Sequence, residues 1–306
     1  MGPDELFQRA AIARRYYLEG RTRVEIAEEF GLSRFKVARM LEEALESGMV
    51  EIKIHDPGSI DVELSAALQK RYSLQHAYAI AAESKNTADR VEAVAKAMAE
   101  LLQSILRGED VIGIDCGRTM TRIAPYLSAL PRCDVVQLTG LAGGLTSNGA
   151  DLTRRISEVT GGRSWPLYAP YIVADARTAV SLASTPPIEA AFANHARVTC
   201  ALVSVGGWTP EASQVYTSVS EEEATALYDA GVRAETCGLL LDANGKRIAG
   251  LDERRMGISE EGLRAIPTVI AICAGAEKIT ATRAVLRSGL VSALVTDTEV
   301  AAAVLD

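Results

Sequence analysis

The sequence predicts an α/β protein in which an N-terminal helix-turn-helix domain, of the winged-helix-like kind, precedes a Rossmann-like α/β domain. Two observations predict this class. Residues 22–46 contain two amphipathic helical patterns that are separated by a short turn with a glycine. From about residue 60 onward, short apolar runs alternate with helical patterns, which is typical of a parallel sheet covered by helices on both faces. A length of 306 residues is enough for two such domains.

Composition limits the possible classes of protein. A net charge of −8 argues against a protein that coats nucleic acid or membranes without specificity, yet it allows a specific DNA-binding protein. There is no run of about 18 apolar residues and no signal-peptide core, so we expect a cytoplasmic protein. The five cysteines form no C-x-x-C pair and the three histidines are dispersed. We therefore expect buried free thiols, no metal site and no cofactor.

Three helices are predicted at the N-terminus. The first covers residues 5–19 and would brace the next two. Thr22 and Glu25 match a capping box at the start of the second helix, and Gly31 supplies the left-handed conformation at its end. Ser33 is a suitable N-cap for the third helix. The apolar positions of the second and third helices are Val24, Ile26, Ala27, Phe30, Val37, Met40, Leu41, Ala44 and Leu45.

The outer face of the third helix is the candidate DNA-binding surface, because a recognition helix contacts bases with its N-terminal residues. The residues expected to contact DNA are Arg23, Ser33, Arg34, Lys36 and Arg39. Residues 1–58 contain eleven Asp and Glu against nine Lys and Arg. Binding would therefore depend on this local cluster and on a dimer rather than on a general positive field. The alternative is an ordinary helical hairpin with a solvated charged face.

A strand and a hinge are predicted after the third helix. Residues 49–54 alternate apolar and charged side chains, as a short half-buried strand does, and this strand would form the wing. Residues 56–59, Asp-Pro-Gly-Ser, combine two residue types that break regular structure. We place the domain boundary there, with the helix-turn-helix domain at residues 1–56 and the second domain at residues 57–306.

The second domain has predicted helices at residues 62–72, 89–106 and 119–130. The short apolar runs that predict its strands lie at residues 77–80, 111–114, 135–138, 201–205 and 268–272. Residues 239–248 are different, because Asn244-Gly245 between apolar segments indicates a hairpin turn.

A candidate ligand site lies at the carboxyl ends of these strands, where sheets of this class bind ligands. The loop at residues 115–119 contains a glycine that permits close backbone approach, and the helix after it offers free N–H groups to an anion such as phosphate. Glycine turns into helices also occur for packing reasons, and the loop is neither a Walker loop nor a dinucleotide fingerprint. The candidate effector-binding residues are Gly117, Arg118, Thr119, Thr139, Asn148, Glu235 and Lys278.

Six segments occur in the order and spacing of a known family: SRFKVARMLEEALESGMVEI at 33–52, IGIDCGRT at 112–119, VVQLTG at 135–140, LYAPYIV at 167–173, AETCGLLLDANG at 234–245, and AGAEKITATRAVLRSGLVSALVTD at 274–297. On these segments the chain resembles, over nearly its full length, the SorC family of bacterial sugar-sensing transcriptional regulators. The resemblance implies an effector domain related to sugar-phosphate isomerases and deaminases, which binds a phosphorylated sugar and changes operator binding. It also implies a dimer or tetramer.

The resemblance assigns roles to individual residues. The phosphate-loop, ligand-facing, acidic and basic positions of the family fall, in that order, on Gly117 to Thr119, Thr139, Glu235 and Lys278. Three residues depart from the family pattern: Cys116 stands where an aromatic is more usual, Thr139 where some members have Lys or Arg, and Ala276 where a glycine is usual. Thr139 can neither form an imine with an open-chain sugar nor pair with a second phosphate, which argues against a covalent effector or a bisphosphate.

Two functions are compatible with the sequence. The first is a transcriptional regulator of a sugar or polyol catabolic operon, a homo-oligomer without enzymatic activity whose partners are operator DNA and a phosphorylated sugar. The second is a sugar-phosphate isomerase- or deaminase-like enzyme with an N-terminal accessory domain, in which Asp115, Glu235 and Lys278 would supply the ionisable groups. The absence of a dense acidic motif and of a well-placed histidine favours the regulator.

Overall fold

The computed structural model describes residues 2–52, 59–82, 86–142 and 149–306, with the backbone only for residues 149–151. The chain divides into two compact units, Met1–His55 and Asp56–Asp306. None of the helices in the described ranges combines the length and the apolar character that crossing a bilayer requires.

The first unit contains the helices α1 (Pro3–Tyr17), α2 (Arg23–Phe30) and α3 (Arg34–Glu46). The predicted caps are confirmed. The side chains of Thr22 and Glu25 each accept a hydrogen bond from the other's backbone N–H at the start of α2. Gly31 ends α2 in the left-handed conformation, with φ of 65°, and Ser33 accepts from the backbone N–H of Lys36 at the start of α3. Local chemistry therefore fixes the turn between the two helices.

All three helices contribute to the core of the first unit, which consists of Ile12, Ala13, Ile26, Ala27, Val37, Met40, Leu41 and Ala44. Two of the apolar positions lie outside this core: Val24 is 54% exposed and Leu45 is 41% exposed, because both lie at the edge of their apolar stripe. The predicted strand at residues 49–54 was wrong in its described part, since residues 49–52 form no strand. The Val50 N–H instead donates to the carbonyl of Ala44 and so closes the end of α3. Residues 53 and 54 lie outside the described residues.

The strands described in the second unit are β1 (Ile60–Asp61), β2 (His76–Ile80), β3 (Val111–Ile114), β4 (Asp134–Gln137), β5 (Ser164–Trp165), β6 (Cys200–Ser204), β7 (Gly206–Gly207), β8 (Ala234–Thr236), β9 (Leu239–Leu241), β10 (Thr268–Ile272) and β11 (Ala293–Asp297). The helices described there are α4 (Val62–Tyr72), α5 (Thr87–Ile105), α6 (Arg118–Thr121), α7 (Gly149–Thr160), α8 (Ala176–Ala183), α9 (Pro186–His195), α10 (Glu221–Asp229), α11 (Glu260–Ala265), α12 (Ile279–Ser288) and α13 (Thr298–Leu305).

An eight-stranded sheet in the order β1-β2-β11-β10-β6-β3-β4-β5 organises this unit. Its neighbouring pairs are parallel, except for the antiparallel pair β1–β2. Successive residues of β4 point to opposite faces, so that Val135 joins one hydrophobic core and Val136 joins the other. Helix α5 covers the face that carries Val135, and α12 and α13 cover the face that carries Val136. The predicted parallel sheet with helices on both faces is confirmed.

A smaller antiparallel sheet, in the order β7-β8-β9, lies beside the carboxyl end of β6. The hairpin turn predicted at Asn244-Gly245 is confirmed. Gly245 has a φ of 82°, and the Asp242 N–H donates to the Lys246 carbonyl over 2.9 Å. Residues beyond this turn return as an isolated bridge between Leu241 and Arg247.

One predicted helix is much shorter than expected. The pattern at residues 119–130 corresponds to α6, which is four residues long, followed by a 3-10 turn at Ala124–Tyr126. Pro125 accounts for the difference, because proline lacks a donor and its ring collides with the carbonyl four residues earlier in a continuing helix.

Candidate functional site

The first unit presents a basic surface on α3. The five residues predicted to contact DNA are exposed: Arg23, Ser33, Arg34, Lys36 and Arg39. The Arg39 guanidinium lies 3.6 Å from the Glu43 carboxylate one turn further along the helix. The carboxylate of Glu43 also pairs with Arg9 of α1, which ties α3 to the brace helix. The arrangement puts cationic groups where a polyanion could reach them.

The second unit contains a cavity of about 440 Å³ at the carboxyl ends of β3, β6 and β10. We call it the effector cavity. Its described lining comes from the start of α5, residues 116–119, Arg122, Tyr171, residues 204–206, residues 211–214, Glu235, Ala274, Glu277 and Lys278. Residues that are up to 190 positions apart in the chain therefore meet at one sheet edge, which is where open α/β sheets bind ligands.

Asp115 lies beneath the wall of the effector cavity and is completely buried. Its Oδ1 accepts from the Cys116 N–H at 2.7 Å, from the Thr139 hydroxyl at 2.8 Å and from the Tyr171 hydroxyl at 3.2 Å. Its Oδ2 accepts from both the hydroxyl and the N–H of Ser204, at 2.6 and 3.0 Å. Burial raises the pKa of Asp115, and these hydrogen bonds oppose the rise. Asp115 therefore fixes the loop at residues 115–119 against β6.

Gly117 is required by packing in this loop. A Cβ atom at this position would lie 2.7 Å from the Cβ of Ser204, which is too close for two carbon atoms. Its backbone is extended, with φ of −174°, so the left-handed conformation plays no part. The glycine brings Arg118 and Thr119 to the mouth of the cavity, and both residues line it.

Glu235 is the buried acid of the effector cavity and is only 4% exposed. One carboxylate oxygen accepts from the Ser213 hydroxyl at 3.0 Å, and the other accepts from the Gly238 N–H at 3.1 Å. Burial raises the pKa of Glu235 to about 7, and the charge of Asp115 acts in the same direction. Gly206 faces the carboxylate so closely that a Cβ atom there would lie 1.8 Å from Oε1. A glycine at 206 thus leaves the space that the acid occupies.

Two cations of the effector cavity are hydrogen-bonded to one chain segment. The Lys278 ammonium donates to the carbonyl of Val205 at 2.9 Å and to that of Ala212, and the Arg118 guanidinium donates to the carbonyl of Glu211. Burial lowers the pKa of Lys278, while the nearby charge of Glu235 opposes this effect. Arg118 and Lys278 are therefore already bonded to carbonyls of residues 211–212, and each keeps further N–H donors for an anion.

Two predicted effector-binding residues are not part of the described cavity wall. Thr139 is fully buried, and its hydroxyl is engaged with Asp115 and with the Cys116 N–H, so it lies behind the wall. Asn148 lies outside the described residues. The other five predicted residues, Gly117, Arg118, Thr119, Glu235 and Lys278, line the same cavity.

The structure adds residues that the sequence patterns do not predict. Ser213 and Gln214 line the effector cavity, and Tyr171 contributes its ring and its bond to Asp115. Ser204 carried a usable signal, because it is a polar residue at the end of an apolar strand, as Thr139 is. Tyr171 lies in the segment 167–173, which is one of those that carry the family resemblance. Ser213 carried no signal, since it lies in a loop whose position depends on the whole fold.

The chemistry of the cavity suits a small ligand with one anionic end and several hydroxyl groups. Arg118, Arg122 and Lys278 supply cations for the anion. The carboxylate of Glu235 and the side chain of Gln214 are suited to hydroxyl groups. Position 139 holds a buried threonine behind the described wall rather than a further cation.

The comparisons with known proteins agree with this architecture. Residues 57–306 match the family model described as "Putative sugar-binding domain". The chain is 29% identical over 296 residues to the uncharacterized transcriptional regulator YjhU of Escherichia coli strain K12, covering 92% of this chain and 89% of the relative. It is 26% identical over 308 residues to the transcriptional regulator LsrR of Enterobacter sp. strain 638, covering 99% and 93%.

A solved structure shows the same fold. The crystal structure of the full-length sorbitol operon regulator SorC from Klebsiella pneumoniae matches with a TM-score of 0.76, and each chain is covered completely. The two sequences are 22% identical, so this likeness concerns the fold.

Proposed function

Because this chain belongs to the family of sugar-binding domains that SorC-type transcriptional regulators share, we propose that it is a regulator of a sugar or polyol operon. In this proposal α3 contacts the major groove of operator DNA, and the effector cavity binds a phosphorylated sugar. The protein acts as a dimer or tetramer that places two α3 helices at half-sites about 34 Å apart or a multiple of that distance.

The observation that carries the proposal is the convergence of Arg118, Thr119, Glu235 and Lys278 on one cavity at the strand ends. Phosphate would bind the two cations, and Glu235 would accept hydrogen bonds from sugar hydroxyls. The same cations hold the carbonyls of Glu211 and Ala212 and keep further N–H donors, so a bound phosphate would be coupled through them to residues 211–212. A ligand shifts the oligomer between two arrangements only by its difference in affinity for them, and this coupling would supply such a difference.

The enzyme alternative is weakened by the surroundings of its ionisable groups. Both oxygens of Asp115 are occupied by donors from four residues, and this carboxylate is completely buried. A general base has to reach the proton that it removes, directly or through one water molecule. Glu235 and Lys278 remain as titratable groups in the cavity, so turnover has to be measured alongside binding.

The test uses the full chain and duplex DNA selected from a randomised library. We expect some phosphorylated pentoses, hexoses or tetritols to raise the melting temperature and change operator affinity without being converted. Arg34→Ala should weaken operator binding by about 1–3 kcal/mol at fixed salt. Thr119→Val should keep operator affinity and lose the ligand-dependent change.

Two exposed residues serve as matched controls. Arg14→Ala on α1 is the control for Arg34→Ala, because it also removes one positive charge. Thr225→Val on α10 is the control for Thr119→Val, because it is the same substitution. We expect neither to change operator preference or the ligand response. Conversion of a phosphosugar with no effect on DNA binding would favour the enzyme instead, and a normal response in Thr119→Val would refute the phosphate site.

A further inference from the structure

Phe35 lies in the first turn of α3, on the outward face of that helix. Its side chain is 72% exposed, and it does not belong to the core of the first unit. At about 100° per residue, a side chain two positions before the buried Val37 points almost directly away from the core. Arg39, one turn further along the helix, lies on the same stripe and is 70% exposed. In the first turn of α3, Phe35 is therefore the side chain that points most directly away from the core.

The ring of Phe35 lies inside a basic cluster. Arg34 and Lys36 flank it in sequence, and both are exposed. The Arg34 guanidinium carbon lies 4.9 Å from the ring centroid, within the range of a cation–π contact. A surface with these cations around an apolar centre matches the major groove, where phosphates border an edge that carries the thymine methyl group.

We propose that Phe35 determines sequence preference by packing against the C5 methyl group of a thymine in each operator half-site. The inference rests on the proposed function, since it requires α3 to enter the major groove. Thymine is the base that offers a methyl group there, and apolar side chains such as phenylalanine contact it. The neighbouring Arg34 would bond guanine or phosphate, so the two residues would specify adjacent features of the half-site.

The test replaces thymine by deoxyuridine, which removes only the methyl group. Duplexes selected from a randomised library by the full chain receive this change one thymine at a time, and affinity is measured at fixed salt. We expect one thymine per half-site to show about a fourfold loss with the wild-type protein, equivalent to about 0.8 kcal/mol. The Phe35→Ala protein should bind the duplex with thymine and the duplex with deoxyuridine at that position with equal affinity.

Phe7→Ala is the matched control, because Phe7 of α1 is 78% exposed and the substitution is the same. It should keep the fourfold sensitivity to the methyl group. The inference is overturned if wild type binds the selected DNA but tolerates every deoxyuridine, or if Phe35→Ala keeps the wild-type pattern of sensitivity. Failure of the full chain to select any sequence would instead overturn the proposed function and the inference together.

Discussion

The outward face of α3 and the effector cavity hold their polar side chains in opposite ways. On α3 the candidate DNA-contacting residues lie in solvent, close together in sequence, and their few partners are on the same or a neighbouring helix. In the cavity the polar residues come from distant segments and are bonded mainly to one another and to the backbone. Substitutions of Arg34, Lys36 or Arg39 should therefore change function with little change in stability, whereas substitutions around the cavity should change both.

The largest expected effect concerns Asp115. Asp115→Ala would leave the buried hydroxyls of Thr139 and Tyr171, and the N–H of Ser204, without the carboxylate that accepts from them. We expect the free energy of unfolding to fall by about 3–5 kcal/mol, since each unsatisfied buried donor costs about 1–3 kcal/mol. Urea titration followed by tryptophan fluorescence measures this, because both tryptophans of the chain, Trp165 and Trp208, lie in the second unit.

The control for Asp115 is Asp229→Ala, at the exposed end of α10. It should change the unfolding free energy by no more than about 0.5 kcal/mol. Arg34→Ala should also leave the fluorescence transition unchanged, because its surroundings are solvent and the ring of Phe35. If Arg34→Ala lost as much unfolding free energy as Asp115→Ala, or if Asp115→Ala lost none, the two regions would not differ in their contribution to stability.

A smaller effect on the free energy of unfolding is expected from the titration of Glu235. Burial raises its pKa from 4.5 to about 7, so the folded protein keeps a proton that the unfolded chain has lost over that range. The unfolding free energy should therefore fall as pH rises from about 4.5 to about 7, by roughly 3 kcal/mol at most. Glu235→Gln should flatten this dependence, as measured by urea titrations across the range.

His195 also makes stability depend on pH, so the effect of Glu235 has to be taken from a comparison of wild type with Glu235→Gln. Burial lowers the pKa of His195 to about 4, so the unfolded chain binds the extra proton between about 4 and 6.5, and stability rises with pH there. This opposite trend is present in wild type and in Glu235→Gln alike, and the difference between them isolates the acid. Parallel curves for the two proteins would show that Glu235 is ionised in the folded state well below pH 7.

The same contrast explains which features the sequence could predict. The caps of α2 and α3 depend on residues three positions apart, such as Thr22 and Glu25, so their pattern is visible in the sequence. The parallel sheet was predictable because its strands are continuous apolar runs, as in Val111–Ile114 and Thr268–Ile272. Local patterns were sufficient for these elements.

The cavity depended on contacts that no local pattern encodes. Asp115 meets partners 24, 56 and 89 positions further along the chain, and spacing alone does not indicate such contacts. Thr139 was correctly expected at a strand end, but it pairs with Gly257 in an isolated bridge, and this segment helps to bury it. The described part of the wing was wrong for a local reason, because the Val50 N–H closes the end of α3 instead of joining a strand.

The smallest expected effect compares one kind of interaction in both units. Thr22 caps α2 and Ser220 caps α10, and each hydroxyl accepts from the N–H three residues later, over 3.3 and 3.2 Å. Thr22→Ala should destabilise its helix by about 1 kcal/mol, which corresponds to about fivefold faster hydrogen exchange. Mass spectrometry of peptides from α2 and α10 measures both sites in one experiment.

We expect Thr22→Ala to accelerate exchange in α2 and leave α10 unchanged, with Ser220→Ala giving the reverse. The effect in α10 should be the smaller one, because its buried Ala224 and Leu227 pack in the core that contains Trp208, so opening this helix also exposes part of that core. Helix α2 also buries two residues, Ile26 and Ala27, but they pack in the smaller core of the first unit, so α2 depends more on its cap. Equal acceleration in the two helices would mean that tertiary packing protects them equally. The first unit would then depend on local interactions no more than the second unit does.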